Sequence, residues 1–128
     1  MNLLLDTCTF LWLVSDQKKL SSKALEVIGD EASQLHVSSI SAFEVALKVQ
    51  KGALTLSGKV EKWFAESLAY HGVEEIPLDS QVLIKSAGLP SHHKDPADRM
   101  IVATALVADL SIVTPDELIR KYTASVIW

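Results

Sequence analysis

The sequence predicts an α/β fold built on a parallel sheet. Short apolar runs alternate along the chain with segments of helical periodicity, the pattern of crossover units in which a helix links two parallel strands. Capping residues stand where several helices should begin, most clearly at Asp95-Pro96. Acidic residues recur just after the strand-like runs or at helix mouths: Asp6, Glu44, Asp98 and Asp116. In an open parallel sheet the strand C-termini share one edge, so these acids can converge there.

Leu3 to Leu5 read as a short buried strand. Asp6 and Thr7 cap a following helix to about Val14, with Leu11, Trp12 and Leu13 supplying apolar surface. Ser15 to Lys19 are polar and loop-like. Ser21 or Ser22 starts a second helix, with Ala24, Leu25 and Ile28 at helical spacing. Leu35 to Ser38 form the second strand. Ser41 to Glu44 has capping-box spacing and predicts a helix to about Lys51, which Gly52 ends.

Val60 to Tyr70 fits a further helix, ending near Gly72. Val73 to Ile76 is a third strand, stopped by Pro77. Asp79 opens a helix through about Ser86, and 88–94 is a loop. Asp95 at N-cap, Pro96 at N1 and Asp98 at N3 start a helix reaching about Ala108. Its packing face is Ile101, Val102, Ala105 and Leu106. Ser111 to Val113 is the fourth strand. Thr114 to Glu117 repeats the capping pattern and predicts a terminal helix with Asp116 in its first turn. Ser125 to Ile127 is the last strand.

A length of 128 residues suits one domain, 1–128, with a sizeable core. The single cysteine, Cys8, excludes an internal disulfide framework and a cysteine-rich zinc site. No apolar run approaches membrane-spanning length, so no membrane contact is expected and the cytoplasm is the default. A net charge of -4 argues against nonspecific duplex binding. It argues less against a nuclease, whose acids hold metal ions that meet the phosphates. Lys48 with Lys51, Lys59 with Lys62, and Arg120 with Lys121 read as solvated faces.

Each acid has a structural explanation. Asp6 can cap a helix, and Glu44 and Asp98 fit N3, where an acid meets free amides and the positive helix end. Their joint placement points further. Four carboxylates drawn together repel one another, and a divalent cation offsets that repulsion. Oxygen ligands without histidine or thiolate suit Mg2+ or Mn2+. Such ions activate a water for in-line attack on a phosphodiester, with no covalent nucleophile needed.

Thr7 and Thr114 lie beside these acids and can orient a carboxylate or a metal-bound water; capping explains them equally well. Arg99 can pair with the acids, reach a phosphate, or form a surface salt bridge. His92 and His93 sit in a loop with no partner at ligand spacing and receive no catalytic role. Cys8, Trp12, Phe43, Trp63 and Phe64 are assigned to packing. The first helix and the stretch 42–49 are apolar enough to serve a homodimer contact or an amphipathic partner helix. No phosphate-binding glycine loop occurs.

These residues resemble the PIN-domain family, in its bacterial VapC toxin branch. The matching pieces are Leu4-Leu5-Asp6-Thr7 with Leu11-Trp12, then Ser38 to Glu44 with Lys48 and the Lys51-Gly52-Ala53-Leu54 turn. Leu89-Pro90 to His93 follows, running into His93-Lys94-Asp95-Pro96-Ala97-Asp98-Arg99 and Ile101 to Ala105. Val113-Thr114-Pro115-Asp116 completes the set, so the resemblance runs essentially end to end.

The resemblance implies a three-layer α/β/α sandwich with a mostly parallel five-stranded sheet. It places the family's acids on Asp6, Glu44, Asp98 and Asp116, with Thr114 in support and Asp95 as a structural acid. It implies Mg2+- or Mn2+-dependent cleavage of RNA by the toxin of a two-component module. It also implies a cognate VapB-type antitoxin, a homodimer, and operator DNA bound only through the antitoxin. The acidic balance departs from what RNA binding favours and makes affinity depend on a local patch.

Two other readings compete. A PIN-like module could hold a partner or RNA with little intrinsic cleavage; added metal and RNA separate it from the enzyme. A phosphatase of the haloacid-dehalogenase kind wants a second acid two residues after Asp6, where this chain has Cys8.

Overall fold

The computed structural model describes residues 1–128. Five strands run β1 (Asn2–Leu5), β2 (Gln34–Ser38), β3 (Val73–Ile76), β4 (Ser111–Val113) and β5 (Val126–Ile127). Six helices connect them: α1 (Thr7–Ser15), α2 (Ser22–Gly29), α3 (Ser39–Gln50), α4 (Val60–His71), α5 (Ser80–Ala87) and α6 (Pro96–Ala108). The sheet order is β3-β2-β1-β4-β5, and every neighbouring pair is parallel. The predicted α/β sandwich with a five-stranded sheet is the observed architecture.

Strand periodicity divides the core. Leu3 and Leu5 point to one face, where they meet Phe10, Leu13, Ala24, Val37, Phe64 and Val113. Leu4 points to the other, against Ile40, Ile101, Val102, Ala105 and Ile112. The register agrees, pairing Leu4 with Ile112 and Leu5 with Val113. Leu3, Leu4 and Leu5 have no exposed surface. A strand buried on both faces must be apolar throughout, which explains why this run lacks alternation. Thus α1, α2 and α4 cover one face and α6 the other. α3 spans them, giving Ile40 to one cluster and packing Ala42 against the other.

Two predicted helix starts differ. α3 follows β2 without a loop because Ser38, fully buried at the strand end, caps it: its Oγ accepts from the Ile40 amide at 3.2 Å. Glu44 therefore lies in the second turn of α3 and not at N3. The predicted terminal helix is only a 3₁₀ turn at Ile119–Lys121. There the chain must return quickly to lay Val126 beside Ile112, and buried Ile119 and Tyr122 anchor that return. Phe43, assigned to the core, is 56% exposed. Phe64 and Trp63 do pack, with ring centroids 5.5 and 6.1 Å from Phe10. No helix is long and apolar enough to cross a membrane.

Candidate active site

The strand order reverses direction at β1, with β2 on one side and β4 on the other. A crevice outside the strand C-termini at such a switch point is where open α/β sheets bind ligands. Asp6 follows β1 directly, and Thr114 follows β4. A cleft of about 370 Å³ opens at this point, lined by Asp6, Thr7, Cys8, Glu44, Lys48 and Asp98, with Pro115 and Asp116 closing it. The fold thus brings all four predicted acids to one cleft.

Each acid is held by a different element. Asp6 is the N-cap of α1, and its Oδ1 accepts from the Thr9 amide at 2.9 Å. Its Oδ2 accepts a very short hydrogen bond from Thr114 Oγ1, so one carboxyl ties β1 to β4. Thr7 Oγ1 donates to Glu44 Oε1 at 2.5 Å and lies 2.8 Å from Ser41 Oγ. Both threonines donate to carboxylates, and Thr114 Oγ1 also accepts from the Asp116 amide at 3.1 Å, so both sequence readings of Thr114 describe contacts it makes. Asp95 caps α6 through Ala97 and Asp98 amides at 2.8 and 3.4 Å, which leaves Asp98 to face the cleft. Asp116 Oδ1 accepts from the Leu118 and Ile119 amides at 2.8 and 3.4 Å.

Three of the acids hold their protons more tightly than usual. Burial pushes Asp6 up, against hydrogen bonds from Thr114 and Thr9. Burial also raises Glu44; the Thr7 hydrogen bond opposes, while Asp95 and Asp6 add repulsion. Asp98 is pushed up to about 7 by burial, then by Asp95, Glu44 and Asp116, against the pull of His93. Asp116 is the exception. Its partial burial acts to raise it, yet hydrogen bonds from His93 and the Leu118 amide hold it below its ordinary value. The raised carboxyls record burial first, with repulsion between the acids added at Glu44 and Asp98. Lys48 is the one cationic side chain lining the cleft. A hard-oxygen donor set with excess negative charge fits a divalent cation.

Three residues sit otherwise than expected. His93, given no role from sequence, places Nε2 2.9 Å from Asp116 Oδ2 and 3.1 Å from Asp98 Oδ2. No local spacing announces this, because a closed loop makes the contact. Cys8 does not pack inward; it lines the cleft, with Sγ 3.5 Å from Asp6 Oδ1. Burial, with the Asp6 charge, pushes its thiol up to about 12. Arg99 makes neither an ion pair with the acids nor a surface salt bridge. Its guanidinium donates to the carbonyls of Ser86, Leu89, Pro90 and His93 at 2.9–3.2 Å, and so fastens the 89–93 loop.

The PIN domain family model matches residues 3–124 of this chain. Ribonuclease VapC22 of Mycobacterium tuberculosis is 33% identical over 120 residues, spanning 93% of this chain and 90% of that one. The chain belongs to the PIN-domain family. Among solved structures, this PIN domain superposes on VapBC2 from Rickettsia felis, bound to a DNA fragment from its promoter, with a TM-score of 0.69. Identity there is 17%, over 98% of this chain and 97% of that one. A toxin–antitoxin complex from Klebsiella pneumoniae gives 0.65 at 19% identity, over 98% and 95% of the two chains. These structures share the PIN fold, and at such identities the likeness is one of fold.

Proposed function

We propose that this protein is a metal-dependent endoribonuclease and the toxin of a two-component module. The observation that carries the reading is the single cleft lined by Asp6, Glu44, Asp98 and Asp116, with the ligand atoms of Asp98, Asp116 and His93 within 4.8 Å of one another. The ribonuclease name of the 33% identical relative supports RNA as substrate.

Asp6, Glu44, Asp98 and Asp116 would hold the cation, Mg2+ or Mn2+. When bound, the ion supplies Lewis acidity for the phosphodiester and for a water molecule. The chain's own residues supply the rest. Thr114 and Thr9 fix both oxygens of Asp6, and Thr7 fixes Glu44. Lys48, on the exposed side of the cleft, meets the nonbridging oxygens of the substrate phosphate. Asp116 already accepts hydrogen bonds at both oxygens, so it contributes mainly negative charge and orientation. In this reading a water molecule, and no side chain of the protein, attacks phosphorus and breaks the P–O bond.

The inhibitory partner in this reading is a VapB-type antitoxin. An apolar groove of about 420 Å³ between α3 and α4 is lined by Phe43, Ala46, Val60, Phe64, Ala65 and Leu68. Its shape and the exposed Phe43 ring suit the apolar face of an amphipathic helix. The toxin–antitoxin complexes among the structural neighbours support this partner. A homodimer of the toxin, with operator DNA held through the antitoxin alone, completes the reading.

Induced expression followed by sequencing of RNA ends tests activity and reports the substrate together. Cleavage by purified protein should require added Mg2+ or Mn2+, and Asp6→Asn and Asp98→Asn should each abolish it with the fold intact. Wild-type cleavage by both variants would overturn the assignment.

A further inference from the structure

We infer that His93 is a positioning residue that holds Asp98 and Asp116 together as one bidentate acceptor pair, a role that rests on the metal-dependent reading of the cleft.

The tautomer follows from the backbone. The Asp95 amide donates to His93 Nδ1 at 3.1 Å. A nitrogen that accepts an N–H carries a lone pair, so the ring proton resides on Nε2. Nε2–H then faces Asp116 Oδ2 at 2.9 Å and Asp98 Oδ2 at 3.1 Å. One proton is shared by two carboxylates, which otherwise repel each other from separate elements, α6 and the turn after β4. The His93 side chain is only 11% exposed, so the ring has little freedom to leave.

The rest of the loop fixes the ring in place. The His93 amide donates to Tyr122 Oη at 2.9 Å, and the His93 carbonyl accepts from Arg99 at 3.2 Å. Tyr122 Oη donates to the Pro90 carbonyl at 2.7 Å, closing the loop on itself. Every polar group of His93, backbone and side chain, therefore has a partner. Rigid support of this kind around a metal site keeps its ligands in register, and its loss typically weakens metal binding about 10–100-fold. His93 acts through its proton on the carboxylates; it does not itself ligate the cation.

The test is Mn2+ binding by the RNA-free protein at pH 8, followed by electron paramagnetic resonance, for wild type, His93→Ala and His93→Gln. Gln can offer an N–H near the position of Nε2, so it retains the bridge if the bridge is what matters. His93→Ala should weaken Mn2+ about tenfold and His93→Gln less than about threefold, by comparison with other outer-shell losses. Spin-echo modulation of the bound Mn2+ in the wild type should show no directly coordinated nitrogen. Thermal unfolding of each variant reports whether it is folded, and the Gln variant decides the matter if the Ala variant is not. A wild-type affinity in His93→Ala overturns the inference while leaving the metal site standing. Direct nitrogen coordination makes His93 a ligand and also overturns it. Failure of wild type to bind Mn2+ overturns the metal-dependent reading and this inference with it.

Discussion

Thr7 Oγ1 donates to Glu44 Oε1 at 2.5 Å, and Ser41 Oγ lies 2.8 Å behind it. Thr7 has one hydroxyl proton and gives it to the carboxylate, so Ser41 must donate to Thr7. This relay crosses from α1 to α3 and is what aims Glu44 into the cleft. Thr7→Val keeps the shape but strands both partners. A buried polar group left unpaired costs about 1–3 kcal/mol, which is the loss of stability expected here. Urea unfolding would measure it, and cleavage should fall along with it. An unchanged denaturation midpoint would show the relay to be idle.

Arg99 makes a second prediction. Its fork reaches three carbonyls on the 89–93 loop and that of Ser86 in α5, and a lysine ammonium on a flexible stem cannot span them together. Arg99→Lys should therefore cost about 1–3 kcal/mol, close to the cost of Arg99→Ala, even though charge is conserved. If chemical denaturation finds Arg99→Lys as stable as wild type, charge and not fork geometry holds the loop.

The raised acids set a pH dependence. Asp98, pushed up to about 7, binds its proton more tightly in the folded chain than in the unfolded one. The folded state then binds more protons across the interval from about 4 to about 7, so metal-free stability falls as pH rises through it. Asp6 and Glu44 act in the same direction. Asp116, held low, acts oppositely, and only where acid titrates it below its ordinary range. A cation favours the deprotonated form, so its effect should grow with pH. The rise in Tm on adding Mg2+ should be larger at pH 8 than at pH 5.5. Equal shifts at both values would remove the acid cluster as the binding site.

Cys8 offers a chemical reporter of the burial and charge of the same cleft. Its thiol, pushed up to about 12 by burial and then by the Asp6 charge, should alkylate slowly at pH 8 and still rise in rate at pH 10. A free thiol would have levelled off near pH 9–10, because its pKa is about 8.5. Iodoacetamide labelling followed by mass spectrometry gives the profile. A plateau below pH 9 would mean that the thiol is neither desolvated nor held up by the carboxylates.

Much of this was legible in the sequence because the signals were local. Leu3 to Leu5 read as a short buried strand, and Asp95-Pro96 marked a helix start. The acids could be grouped because parallel strands share one edge, a topological argument that needs no distances. What stayed hidden was made by contacts between distant segments. His93 meets Asp116 only because Arg99 and Tyr122 fold its loop back over the cleft. Ser38 took the capping role that Ser41 to Glu44 advertised, since its hydroxyl was already in place at the strand end. The terminal helix failed because returning β5 to the sheet outweighed a good capping motif, tertiary packing overriding local preference.

Asp6 sits at once in the chemistry and in the scaffold, as the start of α1 and as the link from β1 to β4. Asparagine begins helices about as well as aspartate, whereas an aliphatic residue costs roughly 0.5–2 kcal/mol there. A copy of this domain that drifts out of catalysis is thus freer to give up its charge at this position than its polarity. Silenced descendants should carry asparagine, serine or threonine there, and keep the shape of a nuclease long after the activity has gone.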